Sequence, residues 1–228
     1  MQSLPRKYLF ETVVTRVKIL LVKSNILLAT IFITVFAVSR IPGLMPSDFS
    51  VAYALMFCAG AFLGGAMAWW LPLAAMLVTD VALNVFYYHS PAVGWYLLIN
   101  YAIYALLIGL GRLMGRKAPF YRLLLGGVFG AVIFYLVTNT LSWWMDSAYA
   151  KTLAGWVQAL TVGRPDWHPS TWEMFRNTLL SGGLFTMLFA TVGKLASESP
   201  ADKTAGAREP GSGDKEPDQA PEPEEAKA

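Results

Sequence analysis

The sequence predicts an all-α, polytopic membrane protein: a bundle of six transmembrane helices joined by short connections. Three observations predict it. Of the 228 residues, 55% are hydrophobic and only 14% charged. Apolar runs of about 18 residues or more recur along the chain, each long enough to cross a hydrocarbon core of about 30 Å. Aromatic residues gather at the ends of those runs, at Trp69-Trp70, Tyr87-Tyr88 and Trp143-Trp144, where amphipathic rings settle at the membrane boundary. The formal charge of +3 decides little, because orientation follows where Lys and Arg sit.

The chain divides into three regions. Residues 1–24 form a basic amphipathic segment, 25–195 the six-helix domain, and 196–228 a tail of Pro, Glu, Ala, Lys and Gly that cannot bury enough apolar surface to fold. In the first, Phe10, Val13, Val14 and Val17 recur at helical spacing, while Arg6, Lys7, Arg16, Lys18 and Lys23 supply positive charge. That pattern suits a helix lying on the inner membrane surface, or an extension of the first span. No cleavable signal peptide is expected, since the first twenty residues are basic and have no small-residue cleavage site.

The first span runs from Asn25 to Ser39. Two prolines and a glycine in Arg40–Ser50 force the chain out of the helix, and Ser47 or Ser50 can cap the next one. The second span covers Phe49 to Ala66. A short turn leads to the third, Trp69 to Tyr88, so these two form a hairpin. After Ser90-Pro91 the fourth runs from Val93 to Leu113 and the fifth from Leu123 to Trp144. The mixed segment Asp146–Trp172 leaves room for a short amphipathic helix at Ala150–Leu160. The sixth span is Glu173 to Leu195.

An even number of spans puts both termini on one side. The basic N-terminal segment, the Arg112–Arg122 loop with four basic residues and no acid, and Lys194 all gather there. The opposite loops hold only Arg40, Lys151 and Arg164. By the positive-inside rule both termini are expected to be cytoplasmic.

Asp80 is the focus of the functional reading. It lies about 16 Å along its helix from Trp69, near mid-membrane. A carboxylate there costs about 2.5 to 3.5 kcal/mol to insert, so it faces the bundle interior and finds a partner. Asn84 comes one turn later. In the fourth span Tyr96, Asn100 and Tyr104 share one stripe; the fifth offers Thr138, Asn139 and Trp143, and the sixth Arg176, Asn177 and Ser181. Four helices thus bring polar groups to the same outer level. They either line a solute cavity or hydrogen-bond helices together at around 0.6 kcal/mol each. An Asp80–Arg176 ion pair would account for both residues without a ligand.

Small residues form a second signal. Gly60, Gly64 and Ala68 make a smooth stripe on the second span, and Gly126 with Gly130 does so on the fifth. Such stripes let helix backbones approach within the bundle, or dock a partner membrane protein.

Several chemistries have no motif to carry them. There is no phosphate-binding glycine loop, no zinc-protease motif and no nucleophile elbow. Cys58 is the single cysteine and sits inside an apolar run, so no internal disulfide and no thiolate metal set can form. No enzyme activity, cofactor or metal site is expected. No basic, aromatic-interleaved patch points to nucleic acid. The expected partners are membrane lipid and a small-molecule substrate.

The run from Arg40 to Asp80, with its Arg-Pro-rich loop, small-residue helix and Pro-Leu stretch ending in Thr79-Asp80, and the later Phe175-Arg176-Asn177-Thr178-Leu179 segment carry a resemblance. The chain resembles an uncharacterised family of bacterial six-helix membrane proteins over about Arg40 to Gly193. That family is similar in size and helix count to the substrate-binding S components of energy-coupling factor (ECF) vitamin transporters. Ser47-Asp48-Phe49 departs from the Pro-Asn-Phe more usual in the family and puts a charge in the outer loop. The resemblance implies a vitamin-like solute bound under the Arg40–Ser50 loop. Asp80, Asn84, Asn100, Asn139, Arg176 and Asn177 would then contact it, and Trp143 would supply an aromatic wall. It also implies a transmembrane coupling subunit with two ATPases, docked on the Gly60, Gly64, Ala68 stripe. The rival reading is a non-transporting scaffold that recruits soluble partners.

Overall fold

The computed structural model describes residues 25–92, 94–166 and 168–197. The expected basic N-terminal segment lies outside the described residues, as does the expected tail beyond Ser197. Every described element is helical: α1 Asn25–Ser39, then α2 Ala52–Phe62, α3 Met67–Ala82, α4 Trp95–Met114, α5 Phe120–Met145, α6 Leu153–Leu160 and α7 Thr171–Ser197. Past Ala82, α3 continues into a wider π-helical turn, Leu83–Tyr87.

Four stretches are long and apolar enough to cross a membrane: Met67–Tyr87, Leu97–Met114, Phe120–Met145 and Thr171–Ser197. The six expected spans are therefore supported at four places. Apolar residues cover α3 on its outer side, with Val78 and Phe86 68% and 80% exposed, a surface suited to lipid tails. Only Ala68, Pro72 and Met76 of α3 are buried.

The expected second span, Phe49–Ala66, is corrected to the 11 residues of α2. At 1.5 Å per residue it is about 16 Å long, roughly half a hydrocarbon core. Before it, Ser50 Oγ accepts the Ala52 N–H at 3.1 Å and fixes the entry turn. After it, Leu63 is extended and Gly65 takes φ 58°, a left-handed turn glycine adopts without strain. Every residue of α2 is buried. It is the central element, packed against α3, α4, α5 and α7.

Lipid tails are as apolar as leucine, so close packing rather than escape from water holds these helices together. The α2–α4 contact shows how. A Cβ on Gly60 would stand 2.1 Å from the Ile108 carbonyl oxygen, and one on Gly111 would stand 2.0 Å from that of Phe57. The two glycines face each other's helix, so backbone meets backbone. Between α5 and α7, a Cβ on Gly127 would meet Thr186 Oγ1 at 2.0 Å. Phe32 of α1 lies 4.4 Å, centroid to centroid, from Phe189 of α7.

The small-residue stripe therefore serves the bundle itself. Gly60 and Ala68 are buried, which corrects their assignment to a docking face. Gly64 alone of the three is exposed, beside Asn25.

Basic side chains tie one end of the bundle together. Arg112 donates to the Gly65 carbonyl at 2.9 Å, Arg116 to Asn25 Oδ1 at 2.6 Å, and Lys194 to the Arg116 carbonyl at 2.7 Å. The opposite end is closed by the 40–50 loop and the segment from Asp146 to Ser170. There Ser170 and Glu173 form a reciprocal cap on α7: the Ser170 N–H donates to Glu173 Oε2 at 2.9 Å, and the Glu173 N–H to Ser170 Oγ at 3.4 Å.

Candidate functional site

Two adjoining cavities lie at that second end. The larger, about 580 Å³, sits among α4, α5 and α7, with Tyr53 of α2 also reaching it. Ile99 and Asn100 of α4, Phe134, Tyr135, Thr138 and Asn139 of α5, and Met174 and Thr178 of α7 line it, with Arg164 and Asp146 from the segment between α5 and α7. The smaller, about 520 Å³, lies under the 40–50 loop and reaches Met76, Leu83, Tyr88 and Tyr104. Asp48, Tyr53 and Phe134 line both.

The wall between α5 and α7 is a folded-back hairpin built on α6. Thr152 caps α6 by accepting the Gly155 N–H at 3.2 Å. Trp156 Nε1 donates to Thr140 Oγ1 at 3.0 Å, and the Tyr135 hydroxyl donates to the Leu160 carbonyl, so both ends of α6 are held on α5. Gln158 closes the following turn through the Gly163 carbonyl at 3.1 Å. Beyond the turn, Arg164 reaches Asp146 at 3.2 Å and Asp166 at 2.8 Å. The Ala148 N–H, and then Arg164, hold the Asp146 carboxyl below the usual carboxylate range; Arg164 does the same for Asp166.

Aromatic rings floor the site. Tyr53 and Phe134 are 4.8 Å apart, and Phe134 stacks on Tyr104 at 5.7 Å. Tyr101 lies 5.6 Å from Tyr104, its hydroxyl buried without a hydrogen-bond partner among the described residues.

Of the residues expected at a site, the structure brings Asn100 and Asn139 together on the larger cavity. Asn139 Nδ2 donates to the Tyr135 carbonyl one turn back at 2.9 Å, which leaves its oxygen for the cavity. Tyr96 belongs to the same α4 stripe, but its side chain lies outside the described part of the structure.

The remaining candidates line neither cavity, and most hold the frame. The expected Asp80–Arg176 pair is corrected: Asp80 pairs with Arg40, which comes directly after α1. Arg176 is exposed on α7. Asn84 bonds the Ala92 carbonyl at 3.4 Å and stabilises the turn after α3. Asn177 donates to the Ser47 carbonyl at 2.9 Å and anchors the 40–50 loop on α7. Trp143 Nε1 donates to the Ala150 carbonyl at 2.8 Å, closing the turn that leaves α5. These residues sit at the expected level, yet their polar atoms are turned to backbone or to each other.

Sequence reasoning missed Asp48, Tyr53, Phe134 and Arg164 as cavity residues. The signal for Asp48 was its departure from the pattern of the resembling family. The aromatic residues carried none, because apolar rings in a membrane helix fit lipid and cavity equally well.

A family model described as a family of unknown function (DUF6580) matches residues 21–204. No curated protein and no solved structure matches the chain.

Proposed function

We propose, for a chain that belongs to the DUF6580 family of unknown function, that it is a membrane protein binding a small organic solute between α4, α5 and α7. One observation carries the reading: a cavity of about 580 Å³, within the range that holds small ligands, into which two helices turn asparagine amides. The Asn100 side chain has no hydrogen bond among the described residues, and that of Asn139 uses only its donor side. Both amides are half-buried at the cavity wall, and their open hydrogen-bonding positions suit a polar solute. The aromatic floor of Phe134 and Tyr53 gives that solute an apolar face to lie on.

The finer reading is that of a substrate-binding component of a vitamin-like uptake system, which the resemblance to ECF S components motivates. On this reading the chain performs no chemistry itself. A transmembrane coupling subunit with ATPases supplies the energy, and the Arg112–Lys117 end of the bundle faces the cytoplasm.

Mass spectrometry of small molecules retained after gentle detergent purification tests the proposal. A compound should be present in the wild type and depleted in Asn100→Ala and Asn139→Ala, while both variants remain folded. A compound retained equally by all three, or no specific compound in repeated preparations, would overturn it. A scaffold that recruits soluble partners would then be the better reading, since the Arg40–Asp80 pair already gives Asp80 a structural role.

A further inference from the structure

The charges around the two cavities are matched, with one exception. Arg40 is taken by Asp80, and Arg164 by Asp146 and Asp166. Asp48 has no hydrogen-bond or ion-pair partner among the described residues, although it lines both cavities. Asp48 is an exposed residue of the loop, and the hydration its carboxyl does lose to the surrounding protein pushes it above the usual range. The backbone around it is fixed. Asp48 takes φ 57°, a left-handed conformation few residues tolerate, and Asn177 holds the carbonyl just before it.

Resting on the solute-binding reading above, we propose that the solute carries a cationic amine and that Asp48 receives it. The rings of Tyr53 and Phe134 line the same two cavities as Asp48 and would attract the same cation through their faces. A carboxylate–ammonium contact is charge-assisted and is worth more than a neutral hydrogen bond. The Asn100 and Asn139 amides would then hold the polar remainder of the molecule in the larger cavity. An anionic solute is disfavoured, because each cation in the walls is already neutralised.

The test uses three probes with one ring and one chain length: phenethylammonium, 2-phenylethanol and phenylacetate. They are titrated into the full chain in lipid nanodiscs by calorimetry, beside Asp48→Asn, which keeps the shape and tolerates the left-handed backbone. Compounds retained on purification are identified in parallel. The wild type should prefer the ammonium over the alcohol by about tenfold or more, and Asp48→Asn should lose that preference but keep its affinity for the alcohol. If no probe binds, a retained cationic compound that is lost in Asp48→Asn supports the assignment equally. Equal affinity for all probes, preference for phenylacetate, a preference that survives Asp48→Asn, or a retained compound that is neutral or anionic overturns the role of Asp48 and leaves solute binding standing. No probe bound and nothing retained removes both.

Discussion

Removing either charge of the Arg40–Asp80 pair should cost more than the geometry of one contact suggests, and removing both should cost little more than removing one. Two unit charges about 4 Å apart attract by about 4 kcal/mol at an effective dielectric constant of 20. The side chains retain 25% and 18% of their exposure, so water screens part of this. Arg40 also lies 6.0 Å over the Phe36 ring, which offers a lone guanidinium some compensation. Its Nε, however, is already buried without a partner among the described residues, so Asp80→Ala leaves the group doubly unsatisfied. A coupling energy of about 1 to 3 kcal/mol is expected, below the about 3 to 5 kcal/mol for breaking a fully buried pair. The assay is a double-mutant cycle on Arg40→Ala and Asp80→Ala, read by denaturant unfolding in bicelles, with Arg176→Ala in place of Arg40→Ala as the control cycle. Coupling under about 0.5 kcal/mol between Arg40 and Asp80, or equal coupling between Asp80 and Arg176, would refute the pairing.

Other perturbations act on separate parts of the molecule. Gly60→Ala puts a methyl where the Ile108 carbonyl oxygen stands 2.1 Å away, and backbone cannot step aside cheaply; a loss of about 1 to 3 kcal/mol or more should appear in the same unfolding assay. Asn177→Ala removes the tether on Ser47 and about 1 kcal/mol, and hydrogen exchange should quicken in the 40–50 loop while α7 stays protected. Asp146 and Asp166 are held below the usual carboxylate range, so their contribution is fully present above about pH 3.9 and fades as pH falls through their depressed values. Exchange across residues 146–166 should therefore rise on acidification, and Arg164→Gln should weaken that acid dependence.

The long helices were legible because a run of apolar residues is what a bilayer demands, and α3, α4, α5 and α7 fall within a few residues of their expected limits. Helix α2 was not. Phe49–Ala66 is apolar enough for a span, but hydropathy does not distinguish a segment facing lipid from one facing other helices. Gly64-Gly65 marked its end, but Gly64 read as part of a small-residue stripe within the span. At the site, Asn100 and Asn139 were found because an amide in the outer half of a membrane span must be satisfied by something. The partner of Asp80 was misassigned for a physical reason: depth along a helix places a residue at a level, whereas the face it presents depends on packing. Arg40 and Arg176 stand at similar levels, and only the arrangement of α1 beside α3 selects Arg40. Asp48 lay in a loop, where a charge ordinarily meets water.

The half-length α2 bears on how the chain is made. An 11-residue helix released alone into lipid would leave its end carbonyls and amides in hydrocarbon, each lacking a partner at a cost of several kcal/mol. Much of its surroundings comes from later parts of the chain: α4 supplies the backbone against Gly60, and α3, α5 and α7 also pack on it. The ribosome therefore delivers α2 well before those neighbours exist. Until α7 emerges, the segment is expected to stay at the water boundary, and the bundle to be completed by drawing α2 inward late in synthesis. A nascent chain stopped before Thr171 should expose α2 to a water-soluble thiol reagent at Cys58, which the finished protein buries completely.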